Sequence, residues 1–125
     1  MLNLLLIFLG SGLGGVLRYL ISDGVHLFIH RLFPFGILVV NVTGCFLMGL
    51  VVALILHRFR GEATFLSSFF LIGLLGGYTT FSSFSLETMS LIENGALISG
   101  LLNILLSVSL CLIGLWLGQM LGKQL

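Results

Sequence analysis

The chain alternates long apolar runs with short polar stretches. A membrane-crossing helix needs about 20 apolar residues, and four runs reach that length: residues 2–22, 36–56, 64–92 and 96–122. The connections between the runs are short, so consecutive helices are expected to lie antiparallel. The sequence therefore predicts an all-α integral membrane protein, a single domain over residues 1–125 with four transmembrane helices in up-down-up-down order.

The composition supports this class of fold. Hydrophobic residues make up 58% of the chain and charged residues only 7%, whereas a soluble domain carries roughly a quarter charged residues. A net charge of +1 gives no basic patch for nucleic acid. The first run is expected to be retained, because no basic residue precedes it and no small-residue cleavage site follows it. Cys45 and Cys111 lie within apolar runs, which favours buried free thiols over a bridge or a metal pair.

The basic residues leave the orientation in the membrane undecided. With four spans, Arg58, Arg60 and Lys123 share one side, and Arg18 and Arg31 fall on the other. Three basic residues against two is too even for the positive-inside rule to choose an orientation. Two interpretations stay open: the Arg58/Arg60 loop alone fixes the orientation, or copies insert both ways and pair antiparallel.

Glycines are spaced so that helices can pack closely. Gly10, Gly12 and Gly15 match the spacing of a dinucleotide-binding fingerprint, but no acidic residue follows at the position that motif needs. A smooth helix face that admits a neighbouring backbone explains them better. The same face is indicated in the third run by Gly73 and Gly77, and in the fourth by Gly114, Gly118 and Gly122.

Polar residues interrupt the third run near its middle. Residues 76–85 read Gly-Gly-Tyr-Thr-Thr-Phe-Ser-Ser-Phe-Ser. Paired glycines weaken a helix, and Thr and Ser hydroxyls offer its backbone competing hydrogen bonds. The run is expected to be broken near residues 76–80. Residue physics leaves two alternatives open: a kinked continuous helix, or a true break whose free backbone groups line a cavity or coordinate an ion.

Other polar residues fall on neighbouring helices and extend this feature. Asn41 sits early in the second span, and Asn103 and Ser107 share one face of the fourth because they are four residues apart. With them, a hydroxyl and amide track would include Thr80, Ser82 and Ser83. Glu87 lies more than a turn beyond the break, so the track holds no carboxylate near the midplane. Walls rich in donors and free of acids favour an anion.

Two aromatic rings stand beside this track. Phe81 and Phe84 are three residues apart and therefore lie on one helical face. Core packing is the ordinary interpretation of such a pair. The alternative uses the positive edge of the ring quadrupole, which can contact a small dehydrated anion.

Three motifs make the chain resemble the Fluc (CrcB-type) fluoride channels over nearly its whole length. Residues 14–19, Gly-Gly-Val-Leu-Arg-Tyr, are similar to the first-helix motif. Residues 41–46, Asn-Val-Thr-Gly-Cys-Phe, together with Gly49, are similar to the second. The most specific match is residues 73–87, which include Gly-Gly-x-Thr-Thr-Phe-Ser-Ser-Phe-Ser-x-Glu. One departure is Ile37, where the family pattern leads us to expect threonine.

The resemblance implies a passive fluoride channel of the bacterial inner membrane. It implies an antiparallel, dual-topology homodimer in the lipid bilayer, with two pores and a structural Na⁺ held by the backbone carbonyls of Gly76 and Thr79 from both subunits. Arg18 would lie at a vestibule. The residues expected to line the pore or bind fluoride are Phe81, Phe84, Asn41, Ser82, Ser83, Thr80, Ser107 and Asn103.

Two other functions compete with a channel. A small dual-topology multidrug exporter also has four spans, but it needs a membrane-embedded acid, normally in the first helix, and the run 2–22 has none. A non-transporting assembly subunit would use the glycine faces for packing alone. That function leaves the polar interruption at residues 76–80 unexplained.

Overall fold

A computed structural model describes residues 1–29 and 33–125, and every regular element in these ranges is helical. Four segments are long and apolar enough to cross a membrane, which makes the chain a multi-pass membrane protein. The charge of Arg31, counted above, lies outside the described residues. The elements are α1 (Leu2–Phe28), α2 (Phe35–Arg58), a 3₁₀ turn (Arg60–Glu62), α3 (Ala63–Leu66), a π-helix (Ser67–Leu75), α4 (Gly76–Tyr78), α5 (Phe81–Glu93) and α6 (Leu97–Gln124).

The three continuous helices are longer than the apolar runs that predict them. They contain 27, 24 and 28 residues, which at 1.5 Å per residue spans about 36–42 Å. The hydrocarbon core is about 30 Å thick, so the helix ends reach the interfaces. Helix α1 continues past residue 22 to Phe28. Asp23 and His26 end the apolar run there, but neither residue stops a helix.

Helix α6 packs along α2 through its small residues. A Cβ built on Gly114 would lie 3.2 Å from the Val42 carbonyl oxygen, and one built on Gly122 would lie 2.7 Å from that of Leu50. The contact positions rise together along both helices, so α2 and α6 run parallel. Parallel second and fourth spans are what an up-down-up-down bundle requires.

Helix α1 packs along the third segment in the same way. A Cβ on Gly10 would lie 2.6 Å from the Phe69 carbonyl oxygen, and one on Gly14 would overlap the carbonyl of Leu74. These helices also run parallel, as first and third spans should. The packing face differs from the glycine face expected in α1, because Gly12 has no atom within 4 Å of its built Cβ.

A sharp turn at Gly95 returns the chain from α5 to α6. Gly95 has a φ of +82°, a conformation that a residue without Cβ adopts at little cost. Its N–H donates to Ile92 at 3.0 Å, and the Ala96 N–H donates to Leu91 at 2.9 Å. Both bonds belong to the Schellman motif that ends helices.

Much of the apolar surface faces outward. In the most apolar part of α1, 11% of the residues are buried, and Phe8 and Phe28 are 75% and 89% exposed. A soluble monomer rarely leaves such large apolar patches open to water. Lipid or protein must cover these faces.

Candidate functional site at the interruption of the third segment

The helical backbone stops for two residues in the middle of the third segment. Thr79 (φ −79°, ψ 154°) and Thr80 (φ −150°, ψ 120°) are both extended, between α4 and α5. Thr80 caps the helix that follows, since its hydroxyl oxygen accepts from the Ser83 N–H at 3.2 Å. The sequence folds this way because paired glycines precede the site and a good N-cap residue follows them.

The side chain of Asn41 hydrogen-bonds to the backbone of Thr80 at the interruption, once as a donor and once as an acceptor. Its Nδ2 donates to the Thr80 carbonyl oxygen at 3.0 Å, and its Oδ1 accepts from the Thr80 N–H at 2.8 Å. The side-chain amide thus replaces a neighbouring peptide group and fastens α2 to the interruption. One N–H of the Asn41 amide remains available to another acceptor.

A cavity of about 300 Å³ opens at this point, and we call it the central cavity. Five residues expected from the sequence to line a pore meet there, together with Thr79. The full lining is Asn41, Cys45, Thr79, Thr80, Phe81, Phe84, Ser107, Val108, Cys111 and Leu112. The wall is mainly apolar, with amide and hydroxyl groups but no carboxylate, ammonium or guanidinium group among its described residues.

The two phenylalanine rings lie against each other at the start of α5. Their centroids are 5.3 Å apart, and the ring planes are inclined at 47°. Phe84 is 8% exposed, whereas Phe81 is 78% exposed. One ring therefore forms part of the protein wall, while the other reaches the outer surface of the chain.

A second cavity, of about 400 Å³, lies beside the first, and we call it the Arg18 cavity. Ser83 lines it together with Arg18 and Glu87. The Ser83 hydroxyl accepts from the Thr80 hydroxyl at 3.1 Å, and Thr80 lines the central cavity. This hydroxyl pair therefore connects the walls of the two cavities. Ile37 adds an apolar side chain to the Arg18 cavity at the position where threonine was expected.

The remaining polar residues expected in the track lie at different depths. Ser82 contacts the Thr80 hydroxyl at 3.1 Å. Asn103 is 2% exposed; its Nδ2 donates to the Thr88 hydroxyl at 2.9 Å, and its Oδ1 accepts from Ser107 at 3.5 Å. Asn103 is therefore fully enclosed and reaches the central cavity only through Ser107.

The structure also adds residues that sequence reasoning missed. Thr88 holds Asn103 in place, and Tyr78 shares a 2.9 Å hydrogen bond with Thr43 beside the interruption. Cys45 and Cys111 meet at the central cavity. No spacing pattern in the sequence links any of these residues to its partner on another helix.

The backbone expected to hold a cation lies at the edge of the chain. Gly76 is exposed, and a Cβ built on it would meet its nearest neighbour only at 3.5 Å. The extended conformation of Thr79 turns its carbonyl away from the helical ladder. Carbonyl oxygens suit hard cations, so the donor atoms at these two residues are of a type that such an ion accepts.

Comparison with known proteins points to one family. Residues 5–119 match the profile of the family described as CrcB-like protein, Camphor Resistance (CrcB). A protein of Coxiella burnetii (strain Dugway 5J108-111) named fluoride-specific ion channel FluC is 53% identical over 124 residues, covering 99% of this chain and 100% of the relative. A protein of the same name from Geobacter sulfurreducens is 46% identical over the full length of both chains.

Proposed function

This chain belongs to the CrcB-like family, and from that premise we propose that it is a fluoride channel and not an enzyme. The names of its full-length relatives support the substrate and the class of protein. The observation that carries the proposal is the central cavity, where the rings of Phe81 and Phe84 adjoin the polar groups of the interruption.

The lining of the central cavity suits a small anion. The spare N–H of Asn41 and the hydroxyl of Ser107 are donors that can replace part of the water shell of fluoride. The positive edges of the phenylalanine rings add attraction without a fixed charge that would trap the ion. The helix α5 also begins here, so the positive end of its dipole faces the interruption.

We place the path for fluoride between the two cavities. Thr80 faces the central cavity and Ser83 faces the Arg18 cavity, and their hydroxyls are 3.1 Å apart. Because a hydroxyl rotates, each can turn its proton toward a passing anion. Arg18 then provides a positive charge at the outer end of this path, in a cavity that it shares with the carboxyl groups of Asp23 and Glu87.

Conduction is proposed to be passive. The described lining of the central cavity holds no acidic side chain. Glu87 lies outside it, in the Arg18 cavity, so the path past the two rings offers no carboxylate to carry a proton. Hydrogen fluoride enters a cell uncharged and dissociates inside. The negative membrane potential then drives the anion outward at about 2.3 kcal/mol per charge per 100 mV.

The working assembly is proposed to be an antiparallel homodimer with two pores in the bacterial inner membrane. The exposed apolar faces of the chain support a partner, and Gly76 and Thr79 lie where a second copy could approach. Two carbonyls from one chain are too few for a cation, and two from each copy make four. Bound Na⁺ would supply positive charge that ties the two interruptions together.

An exporter of the small multidrug type is less favoured. Its proton exchange needs an acid embedded in the first helix. Helix α1 does contain Asp23, because the helix extends beyond the apolar run 2–22, but Asp23 lies in its last turns and is exposed. It is not placed at the middle of the membrane.

Reconstitution tests the proposal. Purified protein in liposomes loaded with potassium fluoride should release fluoride to an electrode once valinomycin balances the charge, and the release should need no proton gradient. Liposomes loaded with chloride are the matched control and should release little. Absence of fluoride release, or release that needs a proton gradient, would contradict a passive fluoride channel.

A further inference from the structure

Two thiols meet at the wall of the central cavity. Cys45 on α2 and Cys111 on α6 are the two cysteines of the chain, and both are free and half-buried. Both line the central cavity, so the two thiols face one space. The sequence favours separate buried thiols, but the fold makes them a pair.

Close packing of the two helices fixes this pair. Cys45 lies between Val42 and Phe46, whose backbones are in near contact with Gly114 and Gly118 of α6. A built Cβ on Gly114 would already lie 3.2 Å from the Val42 carbonyl oxygen. Cys111 precedes Gly114 by about one turn, so these contacts fix where its thiol enters the central cavity that Cys45 also lines.

We propose that Cys45 and Cys111 form a two-thiolate site for a thiophilic divalent d¹⁰ cation, with Hg²⁺ as its best ligand, and that the bound ion closes the central cavity. Soft thiolates select soft metal ions. Hg²⁺ favours two thiolates in a linear arrangement, so two cysteines complete its coordination. Zn²⁺ favours four ligands, and no group of three metal-ligating side chains occurs in the described ranges.

The binding reaction needs no oxidant. Two S–H bonds break, two Hg–S bonds form, and two protons pass to the buffer, with no change in oxidation state. The product is neutral, because two thiolate charges balance the charge of the ion. A neutral complex suits an apolar wall, where burial of a net charge would be costly.

The bound ion would close the central cavity because the thiols share that cavity with residues of the proposed fluoride path. Thr80, Phe81 and Phe84 line the same 300 Å³ space as the thiols. A heavy ion fixed between α2 and α6 occupies part of that space and stops the helices from moving apart. This part of the inference rests on the proposed function, whereas the binding part does not.

Direct binding tests the site without reference to fluoride. The full-length protein, purified in detergent, is titrated with mercuric acetate, while the proton release and the protection of thiols from maleimide are measured. We expect one Hg²⁺ per chain, two protons released, and both thiols protected. Cys45→Ser and Cys111→Ser are matched variants that each keep one thiol, and each should lose the two-proton signature. Zn²⁺ should protect neither thiol.

Fluoride efflux from liposomes tests closure. Mercuric acetate should abolish efflux through the native protein, dithiothreitol should restore it, and the double serine variant should conduct in the presence of Hg²⁺. Single-thiol binding in the native protein, equal to that of either serine variant, would overturn the two-thiolate site. Full binding with unchanged efflux would overturn closure. A native protein that binds Hg²⁺ as expected but conducts no fluoride would contradict the proposed function and leave the binding site established.

Discussion

Replacement of Asn41 by leucine should destabilise the protein and stop fluoride transport. Leucine has the same branched shape and number of side-chain heavy atoms as asparagine but can neither donate to the Thr80 carbonyl nor accept from the Thr80 N–H. Both bonds, at 3.0 and 2.8 Å, are part-buried. The Thr80 carbonyl, as that of the N-cap residue, still accepts the first hydrogen bond of α5, but the Thr80 N–H loses its acceptor. A buried polar group left without a partner costs about 1–3 kcal/mol, which is the loss expected in the free energy of unfolding.

Chemical denaturation in detergent micelles measures this loss. The matched control is Asn94→Leu, which removes a 2.8 Å bond from Nδ2 to the Ser90 carbonyl at an exposed position. Water replaces that partner, so the control should change stability by only about 0.5 kcal/mol. Equal stability of Asn41→Leu and the native protein would refute the role of Asn41 in fastening the interruption.

A second substitution at this position separates structure from conduction. Asn41→Asp keeps an acceptor for the Thr80 N–H but loses the donor, and it places a negative charge at the central cavity. We expect a dimer that still purifies intact but conducts little fluoride. Native conduction by Asn41→Asp would show that the amide N–H does not serve the anion.

Four further predictions concern the rings, the helix contacts, the cation and the topology. Phe81→Ile and Phe84→Ile should each lower the free energy of unfolding by about 1.5 kcal/mol or less but abolish fluoride efflux from liposomes. Efflux equal to that of the native protein would show that the two rings serve only in packing. Gly118→Ala should lower the free energy of unfolding by about 1–3 kcal/mol, because the added Cβ meets the backbone of Phe46. Gly12→Ala is the control: its Cβ enters open space, so the free energy of unfolding should stay the same or rise by up to about 1 kcal/mol. Replacement of all Na⁺ by a large organic cation should lower efflux or loosen the dimer on size exclusion, while Thr79→Ala, which keeps the carbonyl, should do less. Reporters fused to the C-terminus should reveal both orientations in comparable amounts, and a single orientation would contradict dual topology.

The apolar runs predict the four spanning segments because crossing hydrocarbon demands length and apolarity, and both can be read from a sequence. They do not predict where helices end in the interface. Helix α1 reaches Phe28 although its apolar run stops before Asp23. The π-helix Ser67–Leu75 was also not expected, since its apolar residues would suit an α-helix equally well.

In the candidate site, too, local features could be predicted from the sequence, whereas contacts between helices could not. Residue types alone indicate the interruption, because paired glycines and a capping threonine act locally. The clamp from Asn41 to Thr80 joins residues 39 apart in the chain, and the meeting of Cys45 with Cys111 depends on the packing of two helices. Contacts of this kind are set by the tertiary fold, and no local pattern encodes them.

The current through a planar bilayer tests the central claim most directly. With a tenfold gradient of fluoride, equal chloride on both sides and no pH gradient, a passive fluoride channel must show a current that reverses near the fluoride equilibrium potential, about 59 mV in magnitude. We predict that reversal for the native protein, and no shift when a pH gradient is added. Reversal near zero, or a reversal potential that follows the pH gradient, would contradict a passive fluoride channel.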